Sequence, residues 1–179
     1  MTTAAHPTTN TPMKAAPVQV YQVYIKATPQ AIWDAITKPE WTEKYGYGGK
    51  GNFDLRPGGS FIHYTSEAMK AHDAARGFKT PDVAVDGEVI ESDPPRKLVL
   101  SWRMAMDEAM KAEGFTRLTY EITDSSPGVS KLTVIHELEK APKLALIVSG
   151  AFEATGAGGG WNWILSGLKT LLETGAPMM

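Results

Sequence analysis

The sequence predicts an α+β fold in which a long C-terminal helix closes over a curved antiparallel β-sheet, with an apolar cavity between them. Two observations carry that prediction. Segments rich in Val, Ile, Tyr and Trp follow one another through Pro/Gly turns, which makes consecutive strands antiparallel. The last element, with Trp161, Ile164, Leu165, Leu168, Leu171 and Leu172 at helical spacing, forms one broad apolar stripe that needs a large partner surface.

Each element has a local reason. Residues 1–17 are rich in Thr, Ala and Pro and have too little apolar surface to offset ordering entropy, so a disordered tail is expected there, without a secretory h-region. Val18 to Ala27 alternates as a strand. Thr28-Pro29 is a helix start, with Thr28 as N-cap and proline at the first position; Ile32, Trp33 and Ile36 would face inward. Pro39 ends that helix and opens a second short one to Tyr45, with Trp41 and Tyr45 on one side. Gly46 to Gly51 lacks the spacing and the Lys-Ser/Thr ending of a phosphate loop and reads as a flexible turn.

Phe53 to Arg56 and Ser60 to Thr65 form a hairpin across Pro57-Gly58-Gly59. Thr65 to Val83 is a long insertion with a turn or two of helix, of the kind that serves as a lid or partner-binding element. Strands follow at Val83 to Glu91, Lys97 to Met104, Phe115 to Thr123 and Lys131 to Leu138, with a helical or loop excursion from Met106 to Gly114. Gly158-Gly159-Gly160 precedes the final helix, about 24 Å long, and Gly175 stops it.

Composition limits the chemistry. The chain has 179 residues, no cysteine and a formal net charge of -2. It is long enough for one domain with a core of its own, spanning residues 18–179. Disulfides, thiolate metal sites and cysteine nucleophiles are excluded, and a reducing, cytoplasmic setting fits. Lysines and arginines are dispersed, so nucleic acid is not an expected partner. No apolar run is long enough to span a bilayer. The serines lack a nucleophile elbow, and Glu88 and Glu91 fall on opposite faces of a strand. No catalytic residue, metal or cofactor is therefore assigned, and an enzyme is the less favoured reading.

The candidate site is the inner surface. His136 is in phase with Leu132, Val134 and Leu138 and should face inward, either satisfied within the core, or contacting a ligand, or acting as a general base. His63 shares a face with Phe61. Trp33, Phe61, His63, Trp102, Met104, Tyr120, His136, Trp161, Ile164, Leu165 and Leu168 are the expected cavity lining, though such apolar stripes also simply fill cores. Arg103 should lie on the opposite face, in solvent or paired. Exposed aromatics such as Trp41 and Tyr47 would suit a homodimer patch.

The order of elements resembles the START-like, or helix-grip, superfamily. Within it the chain is similar to the family related to the C-terminal domain of the heat-shock-protein-90 ATPase activator. The resemblance rests on Ala27 to Trp33, on Phe53-Asp54-Leu55-Arg56-Pro57-Gly58-Gly59, on Gly87 to Glu91 and on Pro94 to Val99. Ser101-Trp102, His136-Glu137 and Gly160-Trp161 complete it. It implies a helix-grip fold from about Val18 to Glu173 and three readings of function. These are binding of a small hydrophobic or aromatic ligand, a co-chaperone-like or regulatory interaction module, and a cyclase- or hydrolase-like enzyme using a cavity histidine. The insertion and the Leu138–Trp161 segment are longer than the resemblance implies. The domain preceding this one in the co-chaperone is not part of the sequence.

Overall fold

In the computed structural model, which describes residues 16–156 and 158–178, the chain builds one curled antiparallel sheet with helices on its concave side. The expected N-terminal tail lies outside the described residues, apart from Ala16 and Pro17. The first strand, β1 (Val18–Ile25), is followed by α1 (Pro29–Thr37), whose Thr28 hydroxyl accepts from the Ala31 N–H at 3.2 Å. Lys38 is extended, as a residue before proline must be, and α2 covers Pro39–Thr42. This helix is shorter than the sequence suggested, and Tyr45 lies beyond it.

The remaining strands are β2 (Gly51–Phe53), β3 (Ser60–Tyr64), β4 (Val83–Asp93), β5 (Lys97–Met104), β6 (Thr116–Ser126) and β7 (Val129–Glu137). They are ordered β1-β7-β6-β5-β4-β3-β2, so β1 and β2 form the sheet's edges. The β2 strand begins earlier than the expected Phe53 to Arg56. Beyond Phe53 the Asp54 N–H still bonds across the hairpin to the Ser60 carbonyl at 2.9 Å, but the Arg56 N–H turns back to Asp54 C=O at 2.8 Å and ends the pairing.

Curvature has identifiable sources. The register shifts between Val89 and Glu91, a bulge that bends β4 against β5. At Gly87 a Cβ would fall 1.9 Å from the Ser101 carbonyl oxygen, so only glycine lets the two strands approach as they do.

The Thr65–Val83 insertion folds into α3 (Glu67–Ala75), capped by Ser66. After β5 comes α4 (Glu108–Lys111), and α5 (Pro142–Val148) occupies the segment after β7 that the sequence left unassigned. Helix α6 (Gly160–Thr174) turns Trp161, Leu165, Leu168 and Leu171 inward and packs on β1, α1 and α5. It ends where the sequence placed its stop, at Gly175 with φ 78°. No described helix is long and apolar enough to cross a membrane.

Candidate functional site

Strand register fixes what faces the helix. Because Gln19 lies opposite His136, His136 opposite Leu118 and Leu118 opposite Leu100, one row of inward side chains crosses the sheet. In the neighbouring rows stand Tyr21, Val134, Tyr120 and Leu98, and then Thr116 and Trp102. At the far side β3 contributes Phe61 and His63, with His63 opposite Val85 and Val85 opposite Met104. Of the residues named from sequence, Phe61, His63, Trp102, Met104, Tyr120 and His136 stand on these strands, Trp33 lies on α1, and Trp161, Ile164, Leu165 and Leu168 lie on α6.

They then separate into two kinds. Trp33, Phe61, Trp102, His136, Trp161, Leu165 and Leu168 are buried in the core. His63, Met104, Tyr120 and Ile164 keep part of their surface open although they point inward.

His136 belongs to the packed part. The Trp161 indole N–H donates to His136 Nδ1 at 3.2 Å. An indole nitrogen can only donate, so Nδ1 must be the acceptor and the proton of the neutral ring sits on Nε2. That proton points at the Thr116 hydroxyl, 2.8 Å away, and the hydroxyl in turn donates to the Trp102 carbonyl at 2.8 Å. The ring stands edge-to-face with Trp102 and Trp161, at centroid distances of 5.1 and 6.0 Å. Burial holds its pKa down at about 3, so it is neutral at physiological pH. Both nitrogens are engaged, which is the satisfied-core arrangement, with a hydroxyl and an indole as partners.

Tyr120 and His63 differ. Burial raises the Tyr120 phenol far above its usual range and lowers His63 to about 4. Yet both side chains retain open surface. Among the described residues, nothing hydrogen-bonds to the Tyr120 hydroxyl or to either His63 nitrogen. Tyr120 meets the Trp161 ring edge-on at 6.0 Å, and His63 meets Phe61 at 5.8 Å and Phe53 at 6.1 Å.

The Gly46–Gly51 loop, read from sequence as flexible, is tied down around this region. Trp163 donates its indole N–H to the Gly46 carbonyl at 3.0 Å, and the Gly160 N–H donates to the Tyr47 hydroxyl at 3.0 Å. Ser66, at the head of α3, donates to the Tyr47 carbonyl at 2.9 Å. A Cβ at Gly158 would fall 2.5 Å from the Tyr47 hydroxyl oxygen, which explains a glycine there. At Gly51 a Cβ would fall 2.5 Å from His63 Nε2, so this glycine makes room for the imidazole. Tyr47 is therefore a strut between the loop and α6, and Trp41 packs on the core.

Electrostatically the interior is bare. Among the described residues, His136 is the only ionisable side chain counted as buried. Arg103 lies on the outer face, paired with both Asp86 oxygens at 2.6 and 2.9 Å and stacked over Phe115 at 4.4 Å. No three described histidine, aspartate or glutamate side chains gather as a metal site.

Several contributors carried no sequence signal. Phe53 reads from sequence as a strand residue with no assigned face, Thr116 shows no pattern, and Tyr45, which packs against the core, reads as helical. Gln19 and Tyr21 face inward and bond α5, with Gln19 Nε2 donating to the Ala145 carbonyl at 2.8 Å and the Tyr21 hydroxyl donating to Gln19 Oε1 at 2.6 Å. Alternation marks Val18 to Ala27 as a strand without singling out these two.

Residues 26–173 match the sequence family described as Activator of Hsp90 ATPase homolog 1-like protein. No curated protein matches the sequence. Among solved structures, a protein from Mesorhizobium loti is similar at 20% identity and TM-score 0.61, over 87% of this chain and 96% of that one. An HSP90 activator from Plasmodium falciparum is similar at 15% identity and TM-score 0.59, over 88% and 96%. The Aha1 dimer from Colwellia psychrerythraea is similar at 16% identity and TM-score 0.59, over 88% and 97%. At such identities the likeness is one of fold.

Proposed function

The chain belongs to the Activator of Hsp90 ATPase homolog 1-like family, with a START-like fold, and on that premise we propose that it binds a small, neutral, largely apolar or aromatic molecule between the sheet and α6. One observation carries this reading: the Tyr120 hydroxyl and the His63 imidazole stand on the inward face of the sheet, are only partly buried, and have no hydrogen-bonding partner among the described residues. A guest offering a donor or acceptor gains a hydrogen bond at either group without breaking one in the fold. Apolar walls with one or two polar points are the usual composition of a small-molecule site. Met104 and Ile164 supply apolar wall.

The class of guest follows from the charges. With no cationic side chain inside, a carboxylate or phosphate would go uncompensated. His63 is neutral above about pH 4 and Tyr120 stays protonated, so both present hydrogen-bonding atoms without charge. In this reading residues 18–179 act as one unit, in the cytoplasm. Native mass spectrometry of the purified chain, with and without a library of neutral aromatic compounds, is the test. Stoichiometric adducts weakened in Tyr120→Phe support the reading, and the bare chain mass throughout contradicts it.

A second reading, a module that binds a protein partner or itself, is supported by the family's description and by the activator and the dimer among the similar structures. Pull-down with and without residues 67–75 tests a role for α3 in such a contact.

A further inference from the structure

The open edge of β1 is half closed by the chain itself. Pro17 C=O accepts from Leu138 N–H at 2.6 Å, so with the register Val18 to Glu137 the odd-numbered residues of β1 bond to β7. The even-numbered residues direct their N–H and C=O groups away from the sheet. Helix α6 caps the C-terminal part of that row: Lys169 Nζ donates to the Tyr24 carbonyl at 2.7 Å, and Glu173 Oε1 accepts from the Lys26 N–H at 2.8 Å. At Val18, Val20 and Gln22 no described residue bonds the outward groups.

Natural edge strands are usually blunted by charges, proline or bulges. Val18–Ile25 has none of these. Val18 and Val20 are 48% and 57% exposed on the outer face. Alongside runs a groove of about 510 Å³ lined by Val20–Val23 with Asn162, Leu165, Ser166 and Lys169.

From this geometry we infer that Val18–Gln22 is a self-pairing edge, joining two copies of the chain through an antiparallel β1–β1 contact about a two-fold axis at Val20. Val20 would face its own mate, and Val18 would face Gln22 of the other copy. Every outward N–H and C=O of the three residues then gains a partner. An uncharged strand suits itself in such an isologous contact, since no like charges meet. The occupant is therefore a second copy rather than a charged foreign peptide. Lys169 stops the pairing from extending: Tyr24 would lie about 27 Å from its mate, at 3.4 Å per residue from the axis.

Sedimentation of the full chain tests this. The wild type should run at twice the chain mass of 19.4 kDa. Val20→Pro removes only an outward N–H, which spares the β7 ladder, and should run as a folded monomer. Should that variant fail to fold, Val20→Lys, which places like charges at the axis, serves instead. The chain has no cysteine, so a short bis-maleimide linker, adding one thiol to each of its two alkenes, should join Val20→Cys into a covalent dimer and leave Tyr24→Cys uncoupled. A wild type that stays monomeric at every concentration overturns the inference, whether or not its edge then takes up an added peptide. So does a dimer that Val20→Pro and Val20→Lys leave intact, or equal coupling of the two cysteine variants.

Discussion

Trp161 on the closing helix hands a hydrogen bond to Nδ1 of His136 on the sheet, at 3.2 Å, and thereby sets the tautomer of the most buried imidazole. The bond links the N-terminal turn of α6 to the sheet at one point and extends through Thr116 to the Trp102 carbonyl. It makes His136 part of the frame that holds the helix, and leaves polar contact with a guest to Tyr120 and His63.

Trp161→Phe keeps most of the ring volume but leaves Nδ1 without a donor. Its cost should be about 1–3 kcal/mol, the penalty for an unsatisfied buried polar atom. Thr116→Val deprives the other nitrogen. Urea unfolding of both single variants and the double should give a coupling energy of about 0.5 kcal/mol or more, since they share one ring. Strict additivity would show that the relay does not act as a unit.

Acid should weaken the fold through the same ring. In the unfolded chain imidazole takes up a proton near pH 6.5, whereas folded His136 does so only at about 3 and His63 at about 4. Between those values the unfolded state binds more protons, so stability is full above about pH 6.5 and falls as pH drops. Each histidine contributes up to about 1.4 kcal/mol per pH unit in that window. His136→Asn should start less stable and show a shallower decline. An unchanged slope would mean that His136 is not held neutral.

Tyr120→Phe should leave stability almost unchanged, because the hydroxyl has no partner among the described residues to lose. Binding of a neutral guest should weaken by roughly 2- to 12-fold, one hydrogen bond's worth. Thermal melts and ligand titration read the two quantities separately. A large loss of stability would point to a structural bond at this hydroxyl.

Gly51→Ala places a methyl where His63 Nε2 stands, 2.5 Å from the built Cβ. The imidazole must swing away, so affinity for a guest should fall together with a modest loss of stability. Gly58→Ala, where nothing lies within 4 Å and φ is +78°, should cost stability through backbone strain alone. Equal affinity in the two variants would remove His63 from the site.

Period and turn chemistry made most of the fold legible. Alternation placed Leu98, Leu100, Trp102 and Met104 on one face, Thr28-Pro29 announced α1, and the stripe from Trp161 to Leu172 demanded a sheet beneath it. Phase along β7 also put His136 inside. What phase cannot supply is the partner across space: Trp161 lies 25 positions further on and Thr116 lies 20 before. For that reason His136 stood out in the sequence, whereas the unpartnered Tyr120 hydroxyl is recognisable only once every neighbour is in place. The Gly46–Gly51 turn likewise depends on partners distant in sequence. Gly51 makes room for His63 and Gly49 for the Tyr64 carbonyl, and long-range bonds to Gly160 and Trp163 hold the segment.

The central claim is best tested by titrating the wild type, Tyr120→Phe and the surface control Tyr24→Phe with a neutral phenylnaphthylamine fluorophore. Saturable binding of one molecule per chain is expected, weaker in Tyr120→Phe and unchanged in Tyr24→Phe. Absence of saturable binding to the wild type, or equal affinity in all three proteins, would contradict a guest site between the sheet and α6.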